Sequence, residues 1–138
     1  MNRVLGIALV VFALGLAIVP HYTDCFSQGN LVTLANGNQQ PMKCHWTAQG
    51  EIAIGAPLAA VGAIMTFSRR KQSMRILGVM GIALGALAFA LPTSLIGTCG
   101  MATHICNTAM KPAIFAFGGL VLAGSVGAVV TSFRTKLE

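Results

Sequence analysis

The side chains with the most varied chemistry in this sequence are four cysteines and three histidines. Met42, Cys44 and His45 belong to the run MKCHW. Cys99 and Cys106 are the two ends of the run CGMATHIC. Cysteine, histidine and methionine are ligands of soft metal ions, and cysteine also forms disulfides and redox pairs. The same residues therefore suit metal binding, thiol redox catalysis or disulfide formation. They are Cys25, Cys44, Cys99, Cys106, His21, His45, His104, Met42 and Met101.

The spacing of the cysteines argues against catalysis and against a common metal motif. Thiol oxidoreductases commonly use a Cys-x-x-Cys pair, whereas the closest pair here, Cys99 and Cys106, encloses six residues. The spacing also matches none of the usual zinc patterns. We therefore expect no enzymatic activity, no bound metal and no other cofactor. Binding of a soft metal or of haem by the outward Cys, His and Met residues is the alternative.

These residues lie in the connections between long apolar runs. Charged residues make up 9% of the chain and the mean hydropathy is +0.76, whereas soluble domains carry about 25% charged residues. The runs approach the length of about 20 residues that a helix needs to cross a bilayer. The sequence thus predicts an all-α membrane protein, a single domain (1–138) built as a bundle of four transmembrane helices. The expected helices are 4–20, 47–67, 76–96 and 112–133, with outward loops 21–46 and 97–111 and a cytoplasmic loop 68–75.

Two further features concern the membrane topology. The first run follows Arg3 and could be a signal peptide, but it lacks a clear cleavage site, and we interpret it as a retained helix. All basic residues except Lys43 and Lys111 fall on one side of the predicted bundle, and the positive-inside rule places that side, with both termini, in the cytoplasm. The net charge of +6 thus reflects topology, and we expect no nucleic-acid partner. The cytoplasmic basic residues are Arg3, Arg69, Arg70, Lys71, Arg75, Arg134 and Lys136.

The cysteines all fall in the two outward loops. An even number of cysteines facing an oxidising compartment is typical of disulfides. We favour the pairs Cys25–Cys44 and Cys99–Cys106, because each closes a loop between adjacent helices. The other two pairings, which would tie the two loops to each other, stay open.

Small residues at four-residue spacing line three of the predicted helices. Helices in lipid associate through close backbone packing at such residues. We expect these stripes to hold the bundle together and, in part, to contact a larger membrane protein. They are Gly55, Ala59 and Ala63 in the second helix, Gly81 and Gly85 in the third, and Gly119, Ala123 and Gly127 in the fourth.

Three residues at the start of the second helix are further functional candidates. Glu51 is the only acid within an apolar run. It could complement the helix dipole beside an N-cap at Thr47, but acids within a membrane are also candidates for function. Trp46 is expected to anchor the helix at the membrane interface. His45 is a candidate without an assigned role.

The segment MKCHWTAQGEIAIG (42–55), with the four apolar runs and the cysteine loop that follows LPTSLIGTC (91–99), resembles a bacterial family of small four-helix membrane proteins of unknown function. The resemblance covers nearly the whole chain. Members of that family look like companions of ABC-type export systems whose permeases have large extracytoplasmic domains. The family has no established catalytic residues, so the resemblance transfers none.

These observations predict a non-enzymatic accessory subunit packed against a larger transporter permease in the plasma membrane. The resemblance implies that the membrane is bacterial and that the permease belongs to an ABC-type export system. A glycine-rich phosphate loop is missing, and no charge lies in the middle of a run, which argues against nucleotide hydrolysis and ion-driven transport. The alternative is a self-contained membrane protein that handles thiol redox, metal or haem with its outward side chains. A third hypothesis is a bundle that associates with copies of itself.

Overall fold

The four apolar runs form four long helices in the computed structural model, which describes residues 2–68 and 70–134. Each helix is long and apolar enough to cross a bilayer, with mean hydropathies of 1.6 to 2.4. The prediction of a helical protein with four helices that could span a membrane is therefore confirmed. The helices are α1 (Asn2–Tyr22), α2 (Lys43–Phe67), α3 (Lys71–Ala90) and α4 (Lys111–Arg134).

The helices are longer than the apolar runs at several ends. α2 begins at Lys43, four residues before the expected start, and α3 begins at Lys71 instead of residue 76. Lysine, glutamine and arginine are good helix formers, and at a helix end their side chains reach water without leaving the helix. The extension of α2 brings Cys44 into its first turn, where the sequence had predicted a loop.

Irregular elements fill the outward connections. A short antiparallel hairpin pairs β1 (Leu31–Thr33) with β2 (Gln39–Pro41) in a segment that had been expected to lack strands. A π-helical turn, Leu91–Leu95, ends α3 near Pro92, and a second, Cys106–Met110, leads into α4. Such turns often occur at functional sites. Both connections with cysteines are therefore folded segments.

The tightest packing is between α1 and α2, where glycines let the two backbones touch. A Cβ atom on Gly62 would lie 3.0 Å from the carbonyl oxygen of Gly6, and one on Gly55 would lie 3.0 Å from that of Ala13. α3 packs against α4 with Gly81 facing the side chain of Ser125. α1 also packs on α4, which closes the bundle. Small residues thus allow close helix contacts, as expected for helices in lipid.

The predicted stripes do not all face the bundle interior. Gly55, Gly81 and Gly85 are buried, whereas Ala59 and Ala63 are half-buried. On α4 the buried side instead carries residues at alternating spacings of four and three. A helix has 3.6 residues per turn, so residues spaced four apart move gradually around it. The predicted stripe begins at Gly119, one residue after the buried Gly118, and therefore lies beside the buried face and not on it. The stripe Gly119, Ala123 and Gly127 is exposed or half-buried, and within the described chain no atom lies within 4 Å of a Cβ built on Gly127.

The basic residues gather at one end of the bundle because the helices alternate in direction. Arg75 lies there with its guanidinium carbon 4.0 Å from the centre of the Phe133 ring. Arg69 and Lys136 lie outside the described residues. Lys43 and Lys111 begin α2 and α4 at the opposite end, which is also the end that holds the cysteines. The cytoplasmic position of the basic end stays a prediction.

Candidate metal centre

The four cysteines of both outward connections meet in one cluster. The Sγ atoms of Cys25 and Cys106 are 2.7 Å apart, and those of Cys44 and Cys99 are 3.1 Å apart. Cys99 also lies 3.6 Å from Cys25 and 3.9 Å from Cys106, and all four sulfurs lie within 4.8 Å of one another. Cys25, Cys44 and Cys106 are fully buried, and Cys99 is half-buried. The cluster is therefore shielded from solvent, and Cys99 is its most accessible member.

Helix ends position two of these cysteines. Cys44 lies in the first turn of α2, on its buried face. Cys25 follows the end of α1 in a turn that Asp24 stabilises, because its Oδ1 atom accepts a 2.8 Å hydrogen bond from the backbone N–H of Ser27. The carbonyl oxygen of Cys25 accepts a further hydrogen bond from the N–H of Asn30. Both sulfurs are thus held by regular structure or by local hydrogen bonds.

Asn107 organises the loop that carries Cys99 and Cys106. Its amide nitrogen donates to the carbonyl oxygens of Cys99 at 2.7 Å and Met101 at 2.8 Å. Its amide oxygen accepts a 2.9 Å hydrogen bond from the hydroxyl of Thr98. One side chain beside Cys106 thereby fixes the loop on both sides of Cys99.

A second contact ties this loop to α2. Gly97 has a φ of +82°, a backbone conformation that favours glycine, and its carbonyl oxygen accepts a 2.7 Å hydrogen bond from the hydroxyl of Thr47. Thr47 lies inside the helix and not at its N-cap, which is Met42, so the predicted capping role is wrong. The hydroxyl instead ties the loop that carries Cys99 to α2, one turn below Cys44.

The dimensions of the cluster suit one metal ion. An ion bound by four thiolates at about 2.3 Å keeps neighbouring sulfurs about 3.8 Å apart in a tetrahedron. Four of the six sulfur separations run from 2.7 Å, for Cys25 and Cys106, to 3.9 Å, for Cys99 and Cys106, and all six lie within 4.8 Å. Small movements of the side chains would bring all four to one ion. The cluster can therefore supply a complete four-sulfur coordination shell.

The predicted disulfides are not supported by this arrangement. All four cysteines are free thiols, and in the described chain no two sulfurs are at bonding distance. The closest approaches, Cys25 to Cys106 and Cys44 to Cys99, run between the two loops and not within each loop. Antiparallel helices place both connections at the same end of the bundle, so the loops do not act as separate units. Disulfide formation itself stays a prediction.

The Cys99 thiol is poorly suited to act as a nucleophile. Burial, together with the neighbouring thiol of Cys44, raises the pKa of Cys99 above its ordinary value. A thiolate, and not a thiol, is the reactive form of cysteine. A metal cation would favour the thiolates that burial disfavours, because each metal–sulfur bond replaces a proton.

His45 has a structural contact beside the cluster. Its Nδ1 atom lies 2.8 Å from Oδ2 of the buried Asp24, and its ring packs on Phe26 and Trp46 with centroids 4.8 and 5.7 Å away. Burial alone would raise the pKa of Asp24, but the hydrogen bonds from Ser27 and His45 outweigh it and hold the pKa below its ordinary value. His45 thus secures the turn before Cys25. Trp46 is 58% exposed, as an interfacial anchor would be.

Glu51 is fully buried in α2. Both of its carboxylate oxygens lack a hydrogen-bond partner among the described residues. It lies on the buried face of the helix, seven residues and therefore about two turns beyond Cys44. It is thus too deep for the dipole role expected of a first-turn acid, and it is not one of the cluster ligands.

A cleft of about 390 Å³ lies against the accessible side of the cluster. Met42, Met101, His104 and Cys99 line it, and Sδ of Met42 is 3.7 Å from Sγ of Cys99. Nδ1 of His104 is 3.9 Å from Sγ of Cys25. The structure thereby brings together most of the soft ligands noted in the sequence. His21 is separate from them, exposed at the end of α1 with its ring against Tyr22.

Comparison with known proteins places the chain in a family. Residues 4–131 match the family described as "Domain of unknown function (DUF4418)", and the chain belongs to that family. No curated protein matches the chain, and no solved structure does. The predicted membership in a family of unknown function is confirmed, and it leaves the chemistry of the site to be argued from its geometry.

Proposed function

We propose that this member of the DUF4418 family is a metal-binding membrane protein that holds one thiophilic ion through Cys25, Cys44, Cys99 and Cys106. The observation that supports the proposal is the meeting of four sulfurs within 4.8 Å of one another. Two connections that are far apart in sequence supply them, so the cluster depends on the tertiary fold. A chance meeting of all four cysteines of a chain is a poor explanation for this geometry.

The burial of the cluster supports binding over catalysis. Four protein ligands complete a tetrahedral shell, as in structural and storage sites, whereas catalytic zinc keeps one position for water or substrate. Cys25, Cys44 and Cys106 are inaccessible, and Cys99 alone of the four is half-buried. The ion would therefore be held without an open coordination position. Its exchange with the surroundings would run through Cys99.

Charge and hydropathy support a proposal for the sidedness and the environment of the protein. Among the described lysines and arginines, only Lys43 and Lys111 lie at the end of the bundle that holds the cluster, and the positive-inside rule predicts that this end faces away from the cytoplasm. The outer face of α1 exposes large apolar side chains, a surface suited to lipid. We assign the protein to the bacterial plasma membrane as a multi-pass protein. The exposed apolar residues of α1 include Val4, Ile7, Val11, Leu14 and Ile18.

Metal analysis of the protein tests this proposal. The protein is purified anaerobically in mild detergent, loaded with Zn(II), Cu(I) or Fe(II), and desalted before elemental analysis and native mass spectrometry. We expect one ion per chain, with loss of retention in Cys44→Ser and Cys106→Ser but not in the control His21→Ala. Retention of less than one-tenth of an ion per chain, with two disulfides found by non-reducing mass spectrometry, would contradict the proposal.

A second proposal keeps the predicted role of an accessory subunit of an ABC-type permease. The observation that favours it is the stripe Gly119, Ala123 and Gly127 on α4, which the bundle leaves exposed or half-buried. Close packing at small residues is how helices associate in lipid. We expect Gly127→Leu to abolish co-purification of a larger membrane protein while leaving the bundle folded. Purification of the wild type as a lone chain in mild detergent would contradict this role. Purification as a homo-oligomer would also contradict it and would favour the hypothesis that the bundle associates with copies of itself.

A further inference from the structure

We propose that Met42, Met101 and His104 form an outer site that captures monovalent copper, Cu(I), and passes it to Cys99. The inference rests on the proposed function, because it assigns a route and an ion to the cysteine cluster. The three side chains line one cleft, and Cys99 lines the same cleft. The outer site and the cluster therefore meet at a single residue.

The ligand types of the outer site select the ion. Thioether sulfur binds Cu(I) well, whereas zinc is bound in proteins by thiolate, imidazole and carboxylate. In the described chain, the lining of this cleft includes no carboxylate, and it includes the cationic residue Lys43. A nearby ammonium group repels a divalent ion twice as strongly as a monovalent one at the same distance. Both features favour Cu(I) over Zn(II).

The position of Met42 provides the step between the two sites. Its Sδ atom is 3.7 Å from Sγ of Cys99, so an ion on the thioether is already beside the thiol. Cys99 is also the half-buried member of the cluster and lies 3.1 Å from Cys44. From the same cleft, Nδ1 of His104 lies 3.9 Å from Sγ of Cys25. Successive sulfurs on the inward route, from Met42 to Cys99 to Cys44, are thus 3.7 and 3.1 Å apart.

The transfer is a ligand exchange without electron transfer. A bond forms between Cu(I) and Sγ of Cys99, and the proton of that thiol leaves through the cleft to water. The bonds from Cu(I) to the Met42 and Met101 thioethers and to the His104 imidazole then break as thiolates replace them, and copper stays in the +1 state. Further exchanges bring in Cys44 and the other buried cysteines, each with release of one proton.

Loading kinetics of the full-length protein in detergent test the inference. Cu(I) is supplied anaerobically from a colorimetric chelator, and Zn(II) is supplied in a parallel experiment. Met42→Leu with Met101→Leu keeps volume and removes both thioethers, and Met80→Leu on the exposed face of α3 is the matched control. We expect the double variant to load Cu(I) at least about tenfold more slowly, by loss of two ligands, with unchanged final stoichiometry and unchanged Zn(II) loading.

A second variant isolates the outer site. Cys99→Ser removes the thiol that receives copper, and X-ray absorption should then show copper held by one nitrogen and two thioether sulfurs. Adding His104→Ala to this variant should remove the nitrogen and leave only the two sulfurs. Loading of Cu(I) by the double methionine variant at the wild-type rate would overturn the inference. Equal slowing of Zn(II) and Cu(I) would also overturn it, because the methionines would then only support the fold. Failure of the proposed function differs from both: the wild type would place no metal on its cysteines.

Discussion

At the residue scale, the same residue types serve different purposes at short distances from one another. Cys44 contributes a buried sulfur, while the adjacent His45 turns away from the sulfurs to contact Asp24. Both are soft-metal ligands by type, and the sequence could not separate their roles. Their roles differ because the two side chains lie on different faces of α2.

His45→Ala tests the structural role of the histidine. The substitution leaves the buried carboxylate of Asp24 with the hydrogen bond from Ser27 alone. We expect a loss of unfolding free energy of about 1–3 kcal/mol, because a buried charged acceptor loses a partner. Thermal unfolding in detergent measures it, with Trp46→Phe as the control. Loss of the metal with an intact fold would instead make His45 a ligand.

Glu51→Met tests the unpaired carboxylate. Both oxygens lack a partner among the described residues, and an apolar side chain of similar shape removes that unfavourable burial. We expect the free energy of unfolding to rise by about 1–3 kcal/mol, with unchanged metal content. Chemical denaturation in detergent measures the change, and Glu51→Gln, which keeps a polar group, should gain less. A destabilised Met variant would show that Glu51 has a partner in the native protein.

At the element scale, close helix contacts and loop hydrogen bonds create the site. α1 and α2 approach each other closely through Gly6 and Gly62, and Cys25 follows α1 while Cys44 begins α2. The loop between α3 and α4 brings the other two cysteines, fixed by Asn107 and by the contact of Thr47 with Gly97.

Gly62→Val tests the first of these contacts. An added Cβ would lie 3.0 Å from the backbone nitrogen of Val10, and α1 would have to move away from α2. We expect a loss of roughly 1–3 kcal/mol from overpacking and a lower yield of folded protein. The matched control is Gly127→Val, where the described structure leaves open space. Equal stability of the two variants would contradict the helix packing.

Asn107→Ala tests the loop that carries Cys99. The change removes three hydrogen bonds, to the carbonyl oxygens of Cys99 and Met101 and from the hydroxyl of Thr98. We expect metal affinity to fall by about 10- to 100-fold, as for other residues that orient ligands. Competition with a chelator measures the affinity, and Thr108→Ala in the same turn is the control. An unchanged affinity would show that the loop holds its shape without Asn107.

At the scale of the whole molecule, hydropathy and charge predicted the four helices and their alternating arrangement. The apolar runs located each helix but not its ends, because polar residues such as Lys43 and Lys71 extend a helix into the interface. Cysteine spacing did not predict the cluster, since Cys25 and Cys106 are 81 residues apart and meet through tertiary packing. The signal that could have found it is topological: both cysteine pairs lie in connections at the same end of an antiparallel bundle.

The most direct test of the account is X-ray absorption spectroscopy of the metal-loaded wild type. A Zn(II)-loaded sample should show four sulfur neighbours at about 2.3 Å and no light-atom neighbour in the first shell. Substitution of Cys25 by Ser should reduce the sulfur count to three. A shell of nitrogen and oxygen in the wild-type protein, or two sulfurs with the rest in a disulfide, would contradict the four-cysteine centre.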